Sequence, residues 1–371
     1  MKTAIGQRIK AERERKKISQ QKLATALGWN HHQIVSDVEQ GKREIKAWEL
    51  YEIAKFLHVD IDLLIGSKEP QQQPYVLWRQ KPSHNEKILE ARFINECNNY
   101  LWIEEAISNP TASSTLIVEK LSIKQIDLAN FTLEHAYQLA ESIRQCMALG
   151  EFPTAQLLGV LEDRYDIKFI VLNDEMEFSA ACSRSERGCF ILINGRHPEV
   201  RQYFSIAHEL FHLITWEPEM LKLVDSSQKY HEKNEQLANA FAAGLLIPRE
   251  KLEIEAAKIC TNKSMAPSDV IALTEQFQVS KEAMLYRMLN VGLISHKQLT
   301  EINDALQTVS TVKISNKTIA HFLRSKYVRL VYLGLERVKI SRAKAAKLLD
   351  VDLCDLSDLF NEYGFTEVNA V

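Results

Sequence analysis

The eight residues Ser205-Ile206-Ala207-His208-Glu209-Leu210-Phe211-His212 constrain this chain more than any other stretch. They place His-Glu-x-x-His inside a helical apolar pattern. Residues four apart share a helix face, so His208 and His212 can turn both imidazoles toward one metal ion. Glu209 stands beside them, placed to take a proton from water. Phe204, Ile206, Ala207, Leu210, Phe211, Leu213 and Ile214 make the segment apolar almost all round, which is the pattern of a buried helix. Buried His and Glu side chains need partners, and one metal ion satisfies all of them. The alternative is a surface helix with two solvated histidines, and the apolar flanks argue against it.

A second segment, Asn234-Glu235-Gln236-Leu237-Ala238-Asn239, follows about two dozen residues later and offers Glu235 as a third ligand. Structural zinc sites usually take four protein ligands, whereas three leave a position open for water. Zinc is therefore the expected cofactor. Asn239, one helical turn after Glu235, is placed to orient a histidine. A donor for a developing oxyanion is also needed. Arg201, Tyr203, Tyr230 and His231 are candidates, and for each a packing role is equally open.

A length of 371 residues allows two or three domains. No apolar run is long enough to span a bilayer, and Met1-Lys2-Thr3-Ala4-Ile5-Gly6-Gln7-Arg8 lacks the apolar core of a signal peptide. The expected location is the cytoplasm. The six cysteines, at 97, 146, 182, 189, 260 and 354, form no Cys-x-x-Cys pair, which argues against a cysteine zinc site. They are expected as free thiols, and as buried ones at Cys182 and Cys189. Cys182 and Cys189 flank a turn and could approach each other. The net charge is −3, but residues 1–66 hold 12 Lys+Arg against 9 Asp+Glu, a net of +3. If any part touches nucleic acid, this end is favoured.

Helical spacing of Ile5, Ile9, Leu23, Leu27, Val38, Leu50, Ile53, Leu57 and Leu63 predicts a compact helical domain over 1–68, with Ser19 as an N-cap and Gly28 at a tight turn. A Gln/Pro-rich linker, 69–74, opens a linker and helical segment over 69–130, with a helix over 84–107. The third region, 131–298, carries helices over 133–149 and 154–165. Strands are expected at Lys168–Leu172, Glu177–Cys182 and Cys189–Ile193. The His208 helix should begin near Pro198, and the Glu235 helix should end before Pro248. The metal site then sits where a small sheet meets two helices. Residues 299–371 read as a helical C-terminal domain. Segments after Ser280 and Ser341 resemble the first two helices of a helix-turn-helix, and packing bundles are the favoured reading of both.

Ser19-Gln20-Gln21-Lys22-Leu23-Ala24, followed by Leu27-Gly28, Ile34, Ser36, Glu39 and Gly41, resembles the Cro/C1-type (XRE) helix-turn-helix family over residues 5–66. The resemblance implies double-stranded operator DNA as a partner. It places His31, His32, Gln33 and Ser36 near base edges, with Gln33 suited to adenine. Gln20, Lys22, Lys42 and Arg43 would hold phosphates. The Gly28-to-Gly41 spacing is one residue longer than in phage repressors.

From about Leu133 to Ser295 the chain resembles the ImmA/IrrE metallopeptidases. The matching residues are Arg201, Phe204–His212, Glu235–Pro248, Phe277-Gln278-Val279-Ser280, Arg287 and Gly292-Leu293. Phe211 stands where that family often has Gly, which should add bulk behind the metal. The implied fold is α+β and mostly helical: a five-helix helix-turn-helix domain, a zincin-like peptidase domain of helices and a small sheet, and a helical C-terminal region. The implied activity is zinc endopeptidase cleavage of a transcriptional repressor. His208, His212 and Glu235 would be ligands and Glu209 the general base. A homodimer is expected from operator half-sites. The competing reading is a transcription factor whose peptidase-like domain is a sensor or dimerisation module.

Overall fold

Ser19 caps the second helix as its sequence predicts, its Oγ accepting from the Lys22 amide at 3.1 Å. That helix is α2 (Gln20–Ala26), between α1 (Lys2–Arg15) and α3 (Gln33–Glu39), with α4 (Ala47–Leu57) and α5 (Ile61–Ile65) following. Gly28 turns the chain from α2 to α3 at φ +68°, a conformation that costs other residues about 1 kcal/mol or more. Ile9, Leu23, Val35, Val38, Ile53 and Leu57 close the core; Leu63, also expected there, lies outside the residues whose side chains are described. Arg13 is pinned between helices: its Nε and Nη2 donate to Glu39 at 2.6 and 3.1 Å. The chain divides into two compact units, Met1–Gln73 and Pro74–Val371. The computed structural model describes residues 2–16, 18–57, 59, 61–65, 75–77, 84–107, 128, 130–185, 187–215, 224, 227–260, 265–308 and 320–366.

The second unit is built on a four-stranded sheet of β1 (Tyr75–Leu77), β2 (Ile167–Leu172), β3 (Ala180–Ser185) and β4 (Gly188–Asn194), ordered β1-β3-β4-β2. β2 runs parallel to β4, while β3 is antiparallel to both β4 and β1. Alternate side chains feed two cores, as the pleat requires. Ile167, Phe169, Cys182, Cys189 and Ile191 pack with α7 (Leu133–Met147), α9 (Glu199–Ile214) and α10 (Gln228–Leu246), the short α8 (Thr154–Gly159) lying between α7 and β2 in the chain. Ile170, Leu172, Ala181, Phe190 and Leu192 pack with α6 (His84–Ile107). α11 (Arg249–Ile259), α12 (Pro267–Phe277), α13 (Lys281–Asn290) and α14 (His296–Thr308) extend the first layer; α15 (Ala320–Glu336), α16 (Arg342–Leu349) and α17 (Leu356–Glu362) complete the second.

The second expected strand, Glu177–Cys182, is found at Ala180–Ser185 instead. The cause is the hairpin: Ser185 pairs with Gly188 across a two-residue turn, and that short loop fixes the register. Ser280 and Ser341 cap their helices, accepting from Ala283 at 3.1 Å and Lys344 at 3.2 Å. α10 lies so close to α7 that a Cβ on Gly244 would meet Tyr137 Cδ1 at 2.9 Å.

One strand position carries a buried charge. Lys168 is fully buried, with its Nζ on Asp166 at 2.7 Å and Glu104 at 3.3 Å. Nearby, burial pushes the Glu162 carboxyl up to about 7, against the pull of Lys326. An unfolded glutamate titrates at 4.5. Between those values the folded chain binds more protons than the unfolded chain, so stability falls as pH rises through the window and levels off above it. At 1.36 kcal/mol per unit the cost is on the order of 3 kcal/mol. Glu162→Gln is therefore expected to stabilise the protein at about pH 8 and to be near neutral at about pH 4.5, read by urea melts at both. A larger gain at the lower pH contradicts this.

Candidate metal centre and nucleic-acid interface

Pro198 precedes the first turn of α9, and Gln202 locks that turn by donating to His197 O at 2.7 Å. The helix is then buried along its length, with His208, Glu209 and His212 each 3 % exposed. Phe211 is fully buried against Phe241 of α10, ring centroids 5.6 Å apart. Its ring centroid stands 5.7 Å from that of His212. This packing sets α9 against α10, and Glu235 on α10 meets both histidines.

The three donors form a tight triangle. His208 Nε2 lies 3.1 Å from His212 Nε2. Glu235 Oε2 lies 3.2 Å from His208 Nε2, and Oε1 lies 3.3 Å from His212 Nε2. Two ligands each about 2.05 Å from a tetrahedral zinc stand about 3.3 Å apart. The donor set therefore fits a zinc ion in spacing as well as in chemistry. Among the described residues these three form a group able to hold a metal.

Both histidines are oriented from behind. Asn239 Oδ1 lies 3.0 Å from His208 Nδ1, so Nδ1 donates and Nε2 keeps its lone pair toward the triangle. Asn239 thus stands where its spacing put it. Asn234, which sequence spacing did not single out, meets His212 from behind: its Nδ2 donates to His212 Nδ1 at 3.3 Å. The available signal was a buried amide adjoining a ligand in a helix otherwise apolar on that side; Asn234 is 1 % exposed. Replacing Asn239 or Asn234 with Ala is expected to weaken zinc binding about 10- to 100-fold. Competition with a chromogenic chelator reads this, and unchanged affinity would assign both amides to packing alone.

The electrostatics divide the two carboxylates. Burial pushes Glu235 up, but with no metal bound and both histidines protonated at Nε2, their hydrogen bonds and charge outweigh it, holding the group well below the usual carboxylate range. Glu209 goes the other way: burial raises it, and the opposing pulls of His212, His208 and a hydrogen bond from the Cys182 thiol do not cancel that. The two carboxylates are thus shifted in opposite directions, Glu235 down by its histidine partners and Glu209 up by burial. Cys182, fully buried on β3, was not foreseen as a partner of Glu209. Cys182 and Cys189 are both buried on one sheet face and are not joined by a disulfide.

A small crevice runs between Ser179 and Ala180 on one side and Phe204, Ser205, His208 and Glu209 on the other. Arg201 donates to Ser179 Oγ at 3.0 and 3.2 Å, which ties it to this wall. Tyr203 is not among the residues lining this crevice; it is hydrogen-bonded to Glu199, its hydroxyl pushed up to about 12 by burial. Tyr230 and His231 lie half-buried at the start of α10.

In the first unit, His31, His32 and Gln33 are exposed at the start of α3, and Ser36 is half-exposed one turn on. Gln33 Nε2 donates to Asp37 at 3.0 Å, and Ser36 Oγ accepts from Gln40 at 2.9 Å. Lys42 is exposed. Gln20 and Arg43 have internal partners: Gln20 donates to Glu39 at 2.8 Å, and Arg43 donates to Glu49 at 2.7 Å while lying 4.8 Å over the Trp29 ring.

Residues 159–289 match the model of the Peptidase_M78 family, described as an IrrE N-terminal-like domain. Residues 9–64 match the helix-turn-helix family model. A comparison with curated proteins returned no match. The chain thus joins an XRE-type helix-turn-helix, which supports DNA binding, to an IrrE/ImmA-like domain of metallopeptidase type. No helix among the described residues is long and apolar enough to cross a membrane.

Proposed function

We propose that this protein is a cytoplasmic zinc endopeptidase carried on an operator-binding domain, and that it cleaves a transcriptional repressor to release stress, mobile-element or defence genes. The observation that supports this most is the triangle of His208, His212 and Glu235, spaced for zinc with Glu209 beside it. A zinc ion held there would supply Lewis-acid activation of the attacking water and of the scissile carbonyl. Glu209 takes the proton from the water and hands it to the leaving amine. Asn239 holds the His208 imidazole in the tautomer that points the Nε2 lone pair inward, and Asn234 fixes the orientation of the His212 ring. Arg201, tethered to the crevice wall through Ser179, is assigned to the negative charge that develops on the carbonyl oxygen.

The helix-turn-helix is assigned to operator DNA as a homodimer, since two half-sites multiply specificity. His31, His32, Gln33 and Ser36 are the base-reading candidates, and Lys42 is assigned to phosphate. Gln20 and Arg43 reach phosphate only by sharing or leaving Glu39 and Glu49. Binding to DNA would raise the local concentration of peptidase around DNA-bound substrate. The test is to incubate the zinc-loaded protein with repressors encoded beside its own gene and to look for a single internal cut. A defined cleavage lost on chelation supports the proposal. Zinc binding without cleavage of any candidate favours the sensor or dimerisation reading.

A further inference from the structure

β3 is the strand that lines the metal site. Ala180, its first residue, and Ser179 just before it wall the crevice that holds His208 and Glu209, and the Cys182 thiol donates to Glu209. β3 has two edges. The inner one is paired with β4 along its whole length, from Ala180 to Ser185. The outer one carries β1, with Tyr75 opposite Arg184, Val76 opposite Ser183 and Leu77 opposite Cys182.

An open strand edge offers a row of backbone donors and acceptors to which an extended peptide adds. An endopeptidase needs its substrate extended and held beside the catalytic groups. The outer edge of β3 can meet that need, because the strand begins at the crevice wall, with Ala180 lining it. It is already taken by this chain. The antiparallel pairing also has a direction: from Tyr75 to Leu77 the partner moves from Arg184 to Cys182, toward Ala180 and the crevice.

β1 is also the part of the sheet that can leave at least cost. It contributes three residue pairs, against six each for β2–β4 and β3–β4. Without it, β3-β4-β2 remains a three-stranded sheet covered by helices, which is enough to persist. We infer that the outer edge of β3 is the docking edge for an extended peptide substrate, and that Tyr75–Leu77 is an internal competitor for it. The word substrate rests on the peptidase reading; the occupied edge does not. Tyr75 lies two residues beyond the end of the first unit at Gln73.

Two full-length variants test this. In the first, Val76→Pro and Leu77→Pro are combined. Adjacent strand residues alternate in the direction of their N–H, so one of the two faces β3 and is lost. In zinc-free protein, backbone amide exchange along β3 should then quicken about tenfold or more, as expected for an edge that has lost its ladder. A synthetic peptide of residues 72–80, added in trans, should bind this variant and restore protection while binding the wild type weakly. With zinc and a cleavable repressor, the variant should show a lower KM at unchanged kcat. In the second, Val76→Cys and Ser183→Cys, which sit directly opposite each other, are oxidised to lock β1 in place. Peptide binding and cleavage should fall, and reductant should restore both. Equal exchange and equal peptide binding in wild type and proline variant would overturn the inference, as would full peptide binding by the locked form. Because exchange and peptide binding are read without zinc, they stand apart from any failure of the protein to cleave.

Discussion

Glu209→Gln is expected to abolish proteolysis while leaving the metal and the fold in place. The side chain keeps its shape, and its neighbours His208 and His212 keep their own orienting partners, Asn239 and Asn234. Only the capacity to accept a proton is removed. General base catalysis contributes about 10² to 10⁴ in rate, and Glu209 serves both proton transfers, so a loss of about 10³ or more is expected. Zinc content should remain at the wild-type level, because Glu209 is not among the triangle of donors. A Gln variant that cuts within about tenfold of wild type would move the proton to another group. A variant that loses its zinc would mean that Glu209 is a ligand.

This expectation could be read from the sequence because its geometry is local. Helical periodicity alone puts His208 and His212 on one face, and the apolar neighbours of that segment announce its burial. Glu235 needed more: its place follows from the spacing to a second helix and from the family resemblance. Asn239 was accessible by the same one-turn logic, and Asn234 would have been if adjoining amides had been weighed. What stayed hidden depends on strand register. Cys182 reaches Glu209 because β3 spans Ala180–Ser185, and a tight hairpin rather than any periodic pattern sets those bounds. β1 is three residues long, too short for alternation to be seen. Gln20 and Arg43 looked like free phosphate contacts because their acidic partners, Glu39 and Glu49, come from elements that only folding brings near.

Glu39→Ala is expected to cost the helix-turn-helix unit about 3 to 5 kcal/mol, close to the whole stability of a domain this small. Glu39 is 3 % exposed and Arg13 7 %. The hydrogen bond to Glu39 is the main cause that raises the Arg13 guanidinium above its ordinary value. Truncating Glu39 leaves that cation buried without its chief partner and also releases Gln20, its other donor. Replacing both partners with apolar residues, Arg13→Met with Glu39→Leu, should recover most of the loss, because the penalty comes from the stranded charge rather than from a missing contact. Thermal melts of wild type, Arg13→Met, Glu39→Leu and the double variant form a cycle that isolates the pair. If the double variant is as unstable as the sum of the singles, the ion pair is not what the unit rests on. Operator affinity should follow folding in these variants, since neither residue is placed to touch a base.

The most direct test of the account is X-ray absorption at the zinc edge on protein purified without chelators. The account predicts one zinc per chain with a shell of nitrogen and oxygen at about 2.0–2.1 Å, including two imidazoles, and no sulfur. Glu235→Ala should empty the site. Protein with no zinc would contradict the peptidase reading at its root. Zinc with a sulfur neighbour at about 2.3 Å would mean that a cysteine, Cys182 being the one beside Glu209, has entered the coordination shell and that the open position is not where His208, His212 and Glu235 put it.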